Sequence, residues 1–292
     1  MARRDRRSAP DPVAEAASPE TGKGKKGGSS EMLRRVLWSI PLIIIAIVVV
    51  GAGGLVFVAA MAVLGVLALM EYFKIAERAR PFTYAGFAAV IGLVIAAHYG
   101  TQFQIVIVLA AAFALVFGFA LVREQRDNVS NSMAITMLGI LWIGVPLAHA
   151  VLLRDLPLHG GALMIDVLLA TFLADTCAYV GGRMFGRTPL APSISPGKTV
   201  EGLVAGFIGG TATLWIAGLY QDWLSGVDAL ILGACVAAVA PLGDLFESML
   251  KRDFSVKDTG RLFGPHGGVL DRVDAALFTV VVGYYVSVAL VF

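Results

Sequence analysis

Residues 234–253 read ACVAAVAPLGDLFESMLKRD, and this stretch changes from apolar to charged within one predicted helix. The part before Asp244 carries no charge, whereas acidic and basic residues follow it closely. A helix that crosses the bilayer core needs about 20 predominantly apolar residues. A carboxylate in or beside such a helix is costly and usually faces a partner or a wet cavity. The stretch therefore predicts a membrane helix that runs into a polar site.

The composition of the whole chain points the same way. The 292 residues have a mean hydropathy of +0.80, and only 15% of them are charged, whereas soluble domains contain about 25% charged residues. Within lipid the backbone must satisfy its own hydrogen bonds, which favours helices over open sheets. We therefore predict an all-α, polytopic integral membrane protein.

Apolar runs and loop charges predict about nine transmembrane helices with a cytoplasmic N-terminus. If the N-terminus is cytoplasmic, every Lys and Arg except Arg154 falls in a cytoplasmic segment, as the positive-inside rule expects. Dropping one helix before residue 72 would move most later basic loops to the other side. The predicted helices lie near 36–50, 55–72, 82–98, 103–122, 132–152, 161–181, 200–220, 227–250 and 270–291.

The first 35 residues differ from the rest of the chain. They are rich in Arg, Lys, Pro, Gly and Ser and contain almost no large apolar residues, which predicts a disordered basic cytoplasmic tail. The tail either lies against anionic lipid or is solvated without a specific role. Residues 36–292 are predicted to form the membrane-embedded catalytic domain, with its site on the cytoplasmic face.

A polar segment at 251–274, KRDFSVKDTGRLFGPHGGVLDRVD, interrupts the apolar chain. It contains nine charged residues, one histidine and four glycines. Cations and the backbone N–H groups of a glycine-rich loop suit a polyphosphate. The alternative is a basic loop anchored by lipid phosphates, with Asp–Arg pairs at the helix ends. The candidate phosphate-binding residues are Lys251, Arg252, Lys257, Arg261, His266, Gly264, Gly267 and Gly268.

Two carboxylates flank this segment and suit a metal ion. Asp244 shares one helical face with Ser248, Lys251 and Arg252. Asp271 begins the next helix, and a turn between the helices can bring it close to Asp244. Mg²⁺ takes oxygen ligands and usually shares them with substrate phosphates. We therefore predict a magnesium site at Asp244 and Asp271.

A second polar segment precedes the seventh predicted helix. Asp175 lies within the membrane and should have a partner. Farther along, Lys198 stands beside a helix N-terminus, where it can hold an anion. Ser195, Thr199 and Glu201 are open to a simpler interpretation as turn and cap residues, and taken alone this segment favours that interpretation.

These residues carry a resemblance to a known family. The stretch SMLKRDFSVKDTGRLFGPHGGVLDRVD, 248–274, closely resembles the signature of the CDP-diacylglycerol synthases, also called phosphatidate cytidylyltransferases. The segment DTCAYVGGRMFGR…SPGKTVEG, 175–202, is similar to the upstream motif of the same family. The resemblance covers roughly residues 36–292. The matching signature positions are Ser248, Lys251, Arg252, Lys257, Asp258, His266, Gly267, Gly268, Asp271, Arg272 and Asp274.

The resemblance implies that CTP and phosphatidate give CDP-diacylglycerol and pyrophosphate with Mg²⁺, and it leaves a second cation open. It also implies a homodimer in the cell inner membrane, with lipid but no nucleic acid as a partner. Asp244, Lys251, Arg252 and Asp271 are then expected to be catalytic. Substrate contacts are expected from Asp175, Ser195, Lys198, Ser248, Lys257, Arg261, His266, Gly267 and Arg272.

Alternative functions differ in what they do with the acidic residues. A CTP-dependent polyprenol or phytol kinase would transfer a terminal phosphate instead of a cytidylyl group. A CDP-alcohol phosphotransferase is disfavoured, because its expected aspartate spacing is absent. In a secondary transporter, Asp175, Asp244 and Asp271 would couple ions. A further acid, Glu71, closes the second predicted helix and is expected either to pair with Lys74 or to lie in the membrane interface.

Overall fold

The computed structural model describes residues 41, 43–256, 258–260 and 267–291, and the following account concerns the unit Ile43–Phe292. In these ranges the regular secondary structure is helical apart from one short hairpin, β1 (Pro189–Ala191) and β2 (Ser195–Thr199). The helices are α1 (Ile43–Ala52), α2 (Gly54–Ile75), α3 (Thr83–Tyr99), α4 (Gln102–Val122), α5 (Val129–Arg154), α6 (Gly160–Phe185), α7 (Val200–Gly218), α8 (Gly226–Asp253) and α9 (Leu270–Val291).

The helices confirm the predicted all-α, multi-pass class. Within the described ranges, seven helices are long and apolar enough to cross a membrane, namely α2 and α4 to α9. The prediction of nine spans goes beyond these seven, because α1 and α3 are shorter apolar helices. At 17 residues, α3 is about 26 Å long, slightly less than the roughly 30 Å of a bilayer core.

A π-helical turn in α5 carries an aromatic residue that packs against both α2 and α8. The turn Ile140–Gly144 lies just before Pro146, whose missing N–H and ring disturb the regular helical ladder. Trp142 in this turn packs edge-on against Tyr72 of α2, with 5.7 Å between ring centroids, and against Phe246 of α8 at 5.0 Å. These aromatic contacts join the first helices to the helix that carries Asp244.

Close packing of α6 and α7 depends on glycine. Gly202, Gly206 and Gly210 recur every four residues and therefore share one face of α7. A Cβ on Gly206 would lie only 2.8 Å from the carbonyl oxygen of Ala174 in α6, and one on Gly202 only 2.7 Å from that of Ala178. Small residues allow such backbone approach. As a result, the C-terminal end of α6 lies directly beside the N-terminal end of α7.

The β1–β2 hairpin bridges the same two helix ends, and nothing in the sequence pattern predicted it. The two strands pair antiparallel, with Ala191 opposite Ser195. The hairpin is tied to α8, because Arg252 donates from Nε to the carbonyl oxygen of Ile194 at 3.2 Å. The hairpin therefore brings residues 195–199 towards the polar end of α8.

Capping interactions fix the other end of the hairpin. Thr199 accepts a hydrogen bond on Oγ1 from the N–H of Gly202 at 3.1 Å, which confirms its predicted role as the N-cap of α7. Glu201 accepts from the N–H groups of Arg187 and Thr188 at 3.1 and 3.2 Å. Backbone donors on both sides of the hairpin are thus satisfied by residues at the start of α7.

Candidate active site

A cavity of about 480 Å³ lies where the ends of α6 to α9 meet the hairpin. It brings the two polar sequence segments together, although they are far apart along the chain. Five carboxylates and three cationic groups line it, so the cavity is acidic when all of them are ionised. A polyphosphate would be repelled from such a lining unless a cation accompanied it. The charged lining residues are Asp175, Arg183, Lys198, Asp244, Glu247, Lys251, Asp271 and Asp274.

Three of these carboxylates form a compact acidic cluster. Asp244, Glu247 and Asp274 each offer one oxygen, and the three oxygens lie within 4.8 Å of one another. Glu247 is only 1% exposed, and its Oε1 has no hydrogen-bond partner among the described residues. A buried carboxylate oxygen without a donor is costly. Since hard divalent cations prefer oxygen ligands, the acidic cluster fits a metal ion.

The hairpin supplies a cation to one edge of the acidic cluster. Lys198 places its Nζ 2.6 Å from Oδ2 of Asp244. The other oxygen of Asp244 accepts a weaker hydrogen bond from Ser248 Oγ at 3.3 Å. Ser248 and Lys198, both predicted to contact substrate, therefore contact Asp244, Ser248 from the same helix and Lys198 from the hairpin.

Lys251 occupies a different position from Lys198. Its Nζ lies 2.7 Å from Oε2 of Glu247, one turn earlier on α8, and 2.9 Å from Oδ1 of Asp271 on α9. All three side chains are largely shielded from solvent, with exposed fractions of 17%, 2% and 12%. Lys251 therefore links the last turns of α8 to the first turn of α9.

Asp271 is held by protein donors on both of its oxygens. Besides Lys251 on Oδ1, its Oδ2 accepts from the N–H and Oγ1 of Thr259 at 3.1 and 2.9 Å, and from the N–H of Gly268 at 2.7 Å. The structure thus groups Asp244 with Glu247 and Asp274 rather than with Asp271. Metal ligation by Asp271 stays a prediction.

Gly267 has a geometric reason to be glycine. Its φ is +83°, a left-handed conformation that side chains disfavour. In addition, a Cβ at this position would lie 2.7 Å from Oδ2 of Asp271. Glycine at this position therefore lets the backbone turn tightly around the carboxylate of Asp271.

The other predicted site residues divide into three groups. Asp175 lines the cavity, as predicted for a residue that needs a polar environment. Ser195, Arg252 and Arg272 lie nearby but do not line it, and Arg252 instead holds the hairpin. The predicted residues Lys257, Arg261 and His266 lie outside the described residues.

Sequence reasoning missed two members of the acidic cluster as site residues. Glu247 is three residues after Asp244 and four before Lys251, so α-helical spacing places it beside both. Asp274 stands three residues after Asp271 and therefore shares its helix face. The signal that would have identified both was their helical spacing from an acid already predicted as a site residue, Asp244 or Asp271.

One part of the cavity is apolar. Leu203 and Phe207 of α7 line it together with Ala237 and Pro241 of α8. Phe207 remains 41% exposed on a helix that is long and apolar enough to cross a membrane. The cavity therefore combines a charged part, suited to phosphate and a metal ion, with a wall of lipid-compatible side chains.

These features define a class: a multi-pass membrane protein with an acidic cluster that could hold a metal ion beside lysines, suited to the chemistry of phosphate compounds. The sequence model described as the cytidylyltransferase family matches residues 33–290. The chain therefore belongs to the cytidylyltransferase family, and it is a nucleotidyltransferase.

Individual relatives extend along most of the chain. It is 34% identical over 266 residues to the uncharacterized protein YnbB of Escherichia coli, covering 89% of this chain and 88% of that protein. It is 30% identical to the phosphatidate cytidylyltransferase of Staphylococcus saprophyticus, covering 84% and 94%. It is also 30% identical to the phosphatidate cytidylyltransferase of a Synechocystis species, covering 88% and 97%.

Proposed function

We propose that this protein is a phosphatidate cytidylyltransferase, which converts CTP and phosphatidate into CDP-diacylglycerol and pyrophosphate for phospholipid biosynthesis. The observation that carries the proposal is the cavity, in which the acidic cluster, two lysines and an apolar wall meet at the ends of four helices. The names of the bacterial relatives support the same reaction. Such a site can serve one water-soluble and one membrane-anchored substrate.

Asp244, Glu247 and Asp274 would hold Mg²⁺ in this proposal, because they form the acidic cluster and leave a buried oxygen of Glu247 without a donor. When bound, the ion would polarise phosphate oxygens and offset their negative charge. The net acidity of the lining supports a need for such an ion before a nucleotide triphosphate enters. A second cation remains compatible with the acidic lining.

The lysines neutralise phosphate charge and orient the reacting groups, which is most of what phosphoryl-type transfer requires. Lys251 is held in place by Glu247 and Asp271, so its position is set before substrate binds. Lys198 reaches the cavity from the hairpin. A phosphate oxygen of phosphatidate bonds to the α-phosphorus of CTP while the bond to the pyrophosphate oxygen breaks. Because that phosphate is already an anion, no protein nucleophile is required.

The apolar wall would accommodate the lipid part of phosphatidate. Phe207 and Leu203 lie on α7, beside the charged part of the cavity, and Phe207 is 41% exposed. A phosphate at the charged end and acyl chains along this wall would satisfy both halves of the lipid. The wall therefore supports a lipid acceptor over a soluble one.

The membrane topology belongs to the same proposal. Nine spans with a cytoplasmic N-terminus place every Lys and Arg but Arg154 on the cytoplasmic side. The cavity would then open toward cytoplasmic CTP, in the cell inner membrane. A homodimer remains part of the proposal because the family resemblance implies it, and the predicted tail at residues 1–35 lies outside the described residues.

A labelled-nucleotide assay tests the reaction. Purified protein in detergent micelles receives phosphatidate, Mg²⁺ and CTP labelled on the α-phosphorus, and both labelled lipid and pyrophosphate are followed. The proposal predicts both products from the wild type, their loss in Asp244→Asn, and their retention in Asp253→Asn. Asp253 is a matched control, because it is exposed at the end of the same helix and does not line the cavity.

Other outcomes point to the alternative functions. Label that enters a polyprenol or phytol only from the γ-phosphorus of CTP would replace the proposal with a lipid kinase. Solute flux in proteoliposomes without nucleotide consumption would replace it with a transporter. Loss of activity in Asp253→Asn as well as Asp244→Asn would overturn the assignment of the cavity as the reaction site.

A further inference from the structure

Glu71, near the end of α2, contacts the turn that leads into α9. Its Oε2 accepts a hydrogen bond from the N–H of Leu270 at 2.9 Å, across 199 positions of sequence. Leu270 is the first residue of α9, and its N–H is one of the donors that a helix leaves unsatisfied at its start. A carboxylate at this end also opposes the positive pole of the helix dipole. Glu71 therefore caps α9 from another part of the fold.

Two glycines make room for this carboxylate. A Cβ on Gly260 would collide with Oε1 of Glu71, and a Cβ on Gly268 would collide with Oε2. Neither glycine has a positive φ, unlike Gly267, which lies between them in the sequence. Their backbone conformation is thus open to other residues, and a side chain at either position would displace the Glu71 carboxylate from its present place.

The same backbone holds Asp271 through its other hydrogen-bonding groups. Gly268 donates its N–H to Oδ2 of Asp271, and Thr259, next to Gly260, donates from both its N–H and its hydroxyl. Residues 258–260 and 267–269 therefore lie between two carboxylates, Glu71 and Asp271. Any shift of this backbone away from Glu71 would move the donors that fix Asp271.

Asp271 connects the backbone near Glu71 to the cavity. Its second oxygen binds Lys251, which also binds Glu247 of the acidic cluster. Glu71 itself does not line the cavity. It is connected to the acidic cluster through three intermediate groups, the Gly268 backbone, Asp271 and Lys251.

We propose that Glu71 is a positioning residue of the reaction site: it clamps the turn before α9 and thereby sets the orientation of Asp271 and Lys251. The inference rests on the proposed function for its kinetic readout, but the clamp itself is measurable without activity. It acts by hydrogen bonding and by shape. Glu71→Gln keeps an acceptor oxygen of the same length, whereas Glu71→Ala removes it.

The kinetic test compares these variants by kcat per folded molecule. We expect Glu71→Ala to lower kcat by about 30-fold while the KM for CTP changes by less than about threefold, as for other residues that orient catalytic groups. Glu71→Gln should keep kcat within about threefold of the wild type, because the acceptor is retained. The matched control Glu77→Ala, exposed in the turn after α2, should be unchanged. A purely structural role would reduce the yield of folded protein without lowering kcat per folded molecule.

A double-mutant cycle tests the contact directly. Gly268→Ala alone should reduce kcat by about tenfold or more, because its methyl group meets the Glu71 carboxylate. In the Glu71→Ala background, the same change should add less than about threefold, since the collision partner is gone. Fully additive losses would overturn the proposal, and so would wild-type kcat in Glu71→Ala.

Hydrogen exchange separates this inference from the proposed function. The amides of Gly268 and Leu270 should exchange about fivefold faster in Glu71→Ala than in the wild type, and at an unchanged rate in Glu77→Ala. If the wild-type protein made no labelled lipid, the proposed function would be wrong, but the hydrogen-exchange test of the clamp would still apply. Unchanged exchange in Glu71→Ala would sink the clamp even if cytidylyl transfer were established.

Discussion

The two lysines of the cavity are held in contrasting ways. Lys251 projects from α8 and lies between Glu247 and Asp271, where all three side chains are largely shielded. Lys198 comes from a short hairpin and forms one ion pair among the described residues, with Asp244, and the two side chains are 24% and 38% exposed. A shielded, doubly paired cation is part of the architecture, whereas a more exposed single pair contributes little to stability. The comparison therefore predicts that Lys251 serves both structure and chemistry and that Lys198 serves mainly chemistry.

Lys251→Met should have the largest effect on both kcat and the free energy of unfolding. A smaller effect would contradict the contrast between the two lysines. We expect kcat to fall on the order of 10³-fold through lost charge stabilisation, and the free energy of unfolding to fall by about 3 kcal/mol. The stability loss arises because two shielded carboxylates lose their common partner. Steady-state kinetics and denaturant unfolding in detergent measure the two quantities.

A matched substitution controls for the loss of one positive charge. Lys74→Met removes an exposed lysine near the end of α2 that does not line the cavity, and both quantities should remain near their wild-type values. If Lys251→Met inactivated the protein but unfolded like the wild type, Lys251 would have no architectural role and the contrast with Lys198 would disappear.

Lys198→Met should separate activity from stability. We expect kcat to fall on the order of 10²-fold, since one cation near the phosphates is lost. The free energy of unfolding should change by less than about 1 kcal/mol, because the pair with Asp244 is partly exposed. The same two measurements apply. A stability loss equal to that of Lys251→Met would show that the hairpin is as integral to the fold as α8.

The dependence of activity on Mg²⁺ should distinguish Asp274, which belongs to the acidic cluster, from Asp271, which does not. Asp274→Asn should raise the Mg²⁺ concentration for half-maximal activity by about 10- to 100-fold, because Asp274 belongs to the acidic cluster. Asp271→Asn should raise it by less than about threefold while lowering kcat, since Asp271 engages Lys251, Thr259 and Gly268. Measuring the activity of each variant over a range of Mg²⁺ concentrations tests both expectations. A larger increase in this Mg²⁺ concentration for Asp271→Asn than for Asp274→Asn would indicate that Asp271 is a direct ligand.

Much of this organisation was predictable from local sequence patterns. Apolar runs predicted the helical membrane class, and charged residues at the helix ends predicted Asp175, Lys198, Asp244, Lys251 and Asp271, all of which line the cavity. These features depend on hydrophobicity and on spacing within a helix or turn. Such short-range signals survive without knowledge of how helices pack.

The features that were missed depend on contacts between distant segments. Glu71 reaches Leu270 across 199 positions, and no periodicity within α2 indicates that partner. Asp271 was expected beside Asp244, but the Gly268 and Thr259 amides engage it instead. Helix spacing says which side chains share a face, whereas the distance between faces of two helices is set by packing.

The smallest effect concerns the anchor of the hairpin. Thr199→Ala removes the Oγ1 that accepts from Gly202 at the start of α7, so the free energy of unfolding should fall by about 1 kcal/mol. Because the hairpin that carries Lys198 ends at this cap, kcat should also fall, by about three- to tenfold. Unfolding and kinetic measurements on the same preparation give both numbers.

A second N-cap in the chain provides the control for that prediction. Ser225 caps α8 by accepting from the N–H of Asp228 at 3.1 Å, at the end of α8 opposite to Asp244. Ser225→Ala should therefore lose a similar stability of about 1 kcal/mol with unchanged kcat. If both cap substitutions lowered kcat equally, the effect of Thr199 would follow from general destabilisation. If only Thr199→Ala lowered it, the position of Lys198 would depend on the cap, which is what its partly exposed pair with Asp244 leads us to expect.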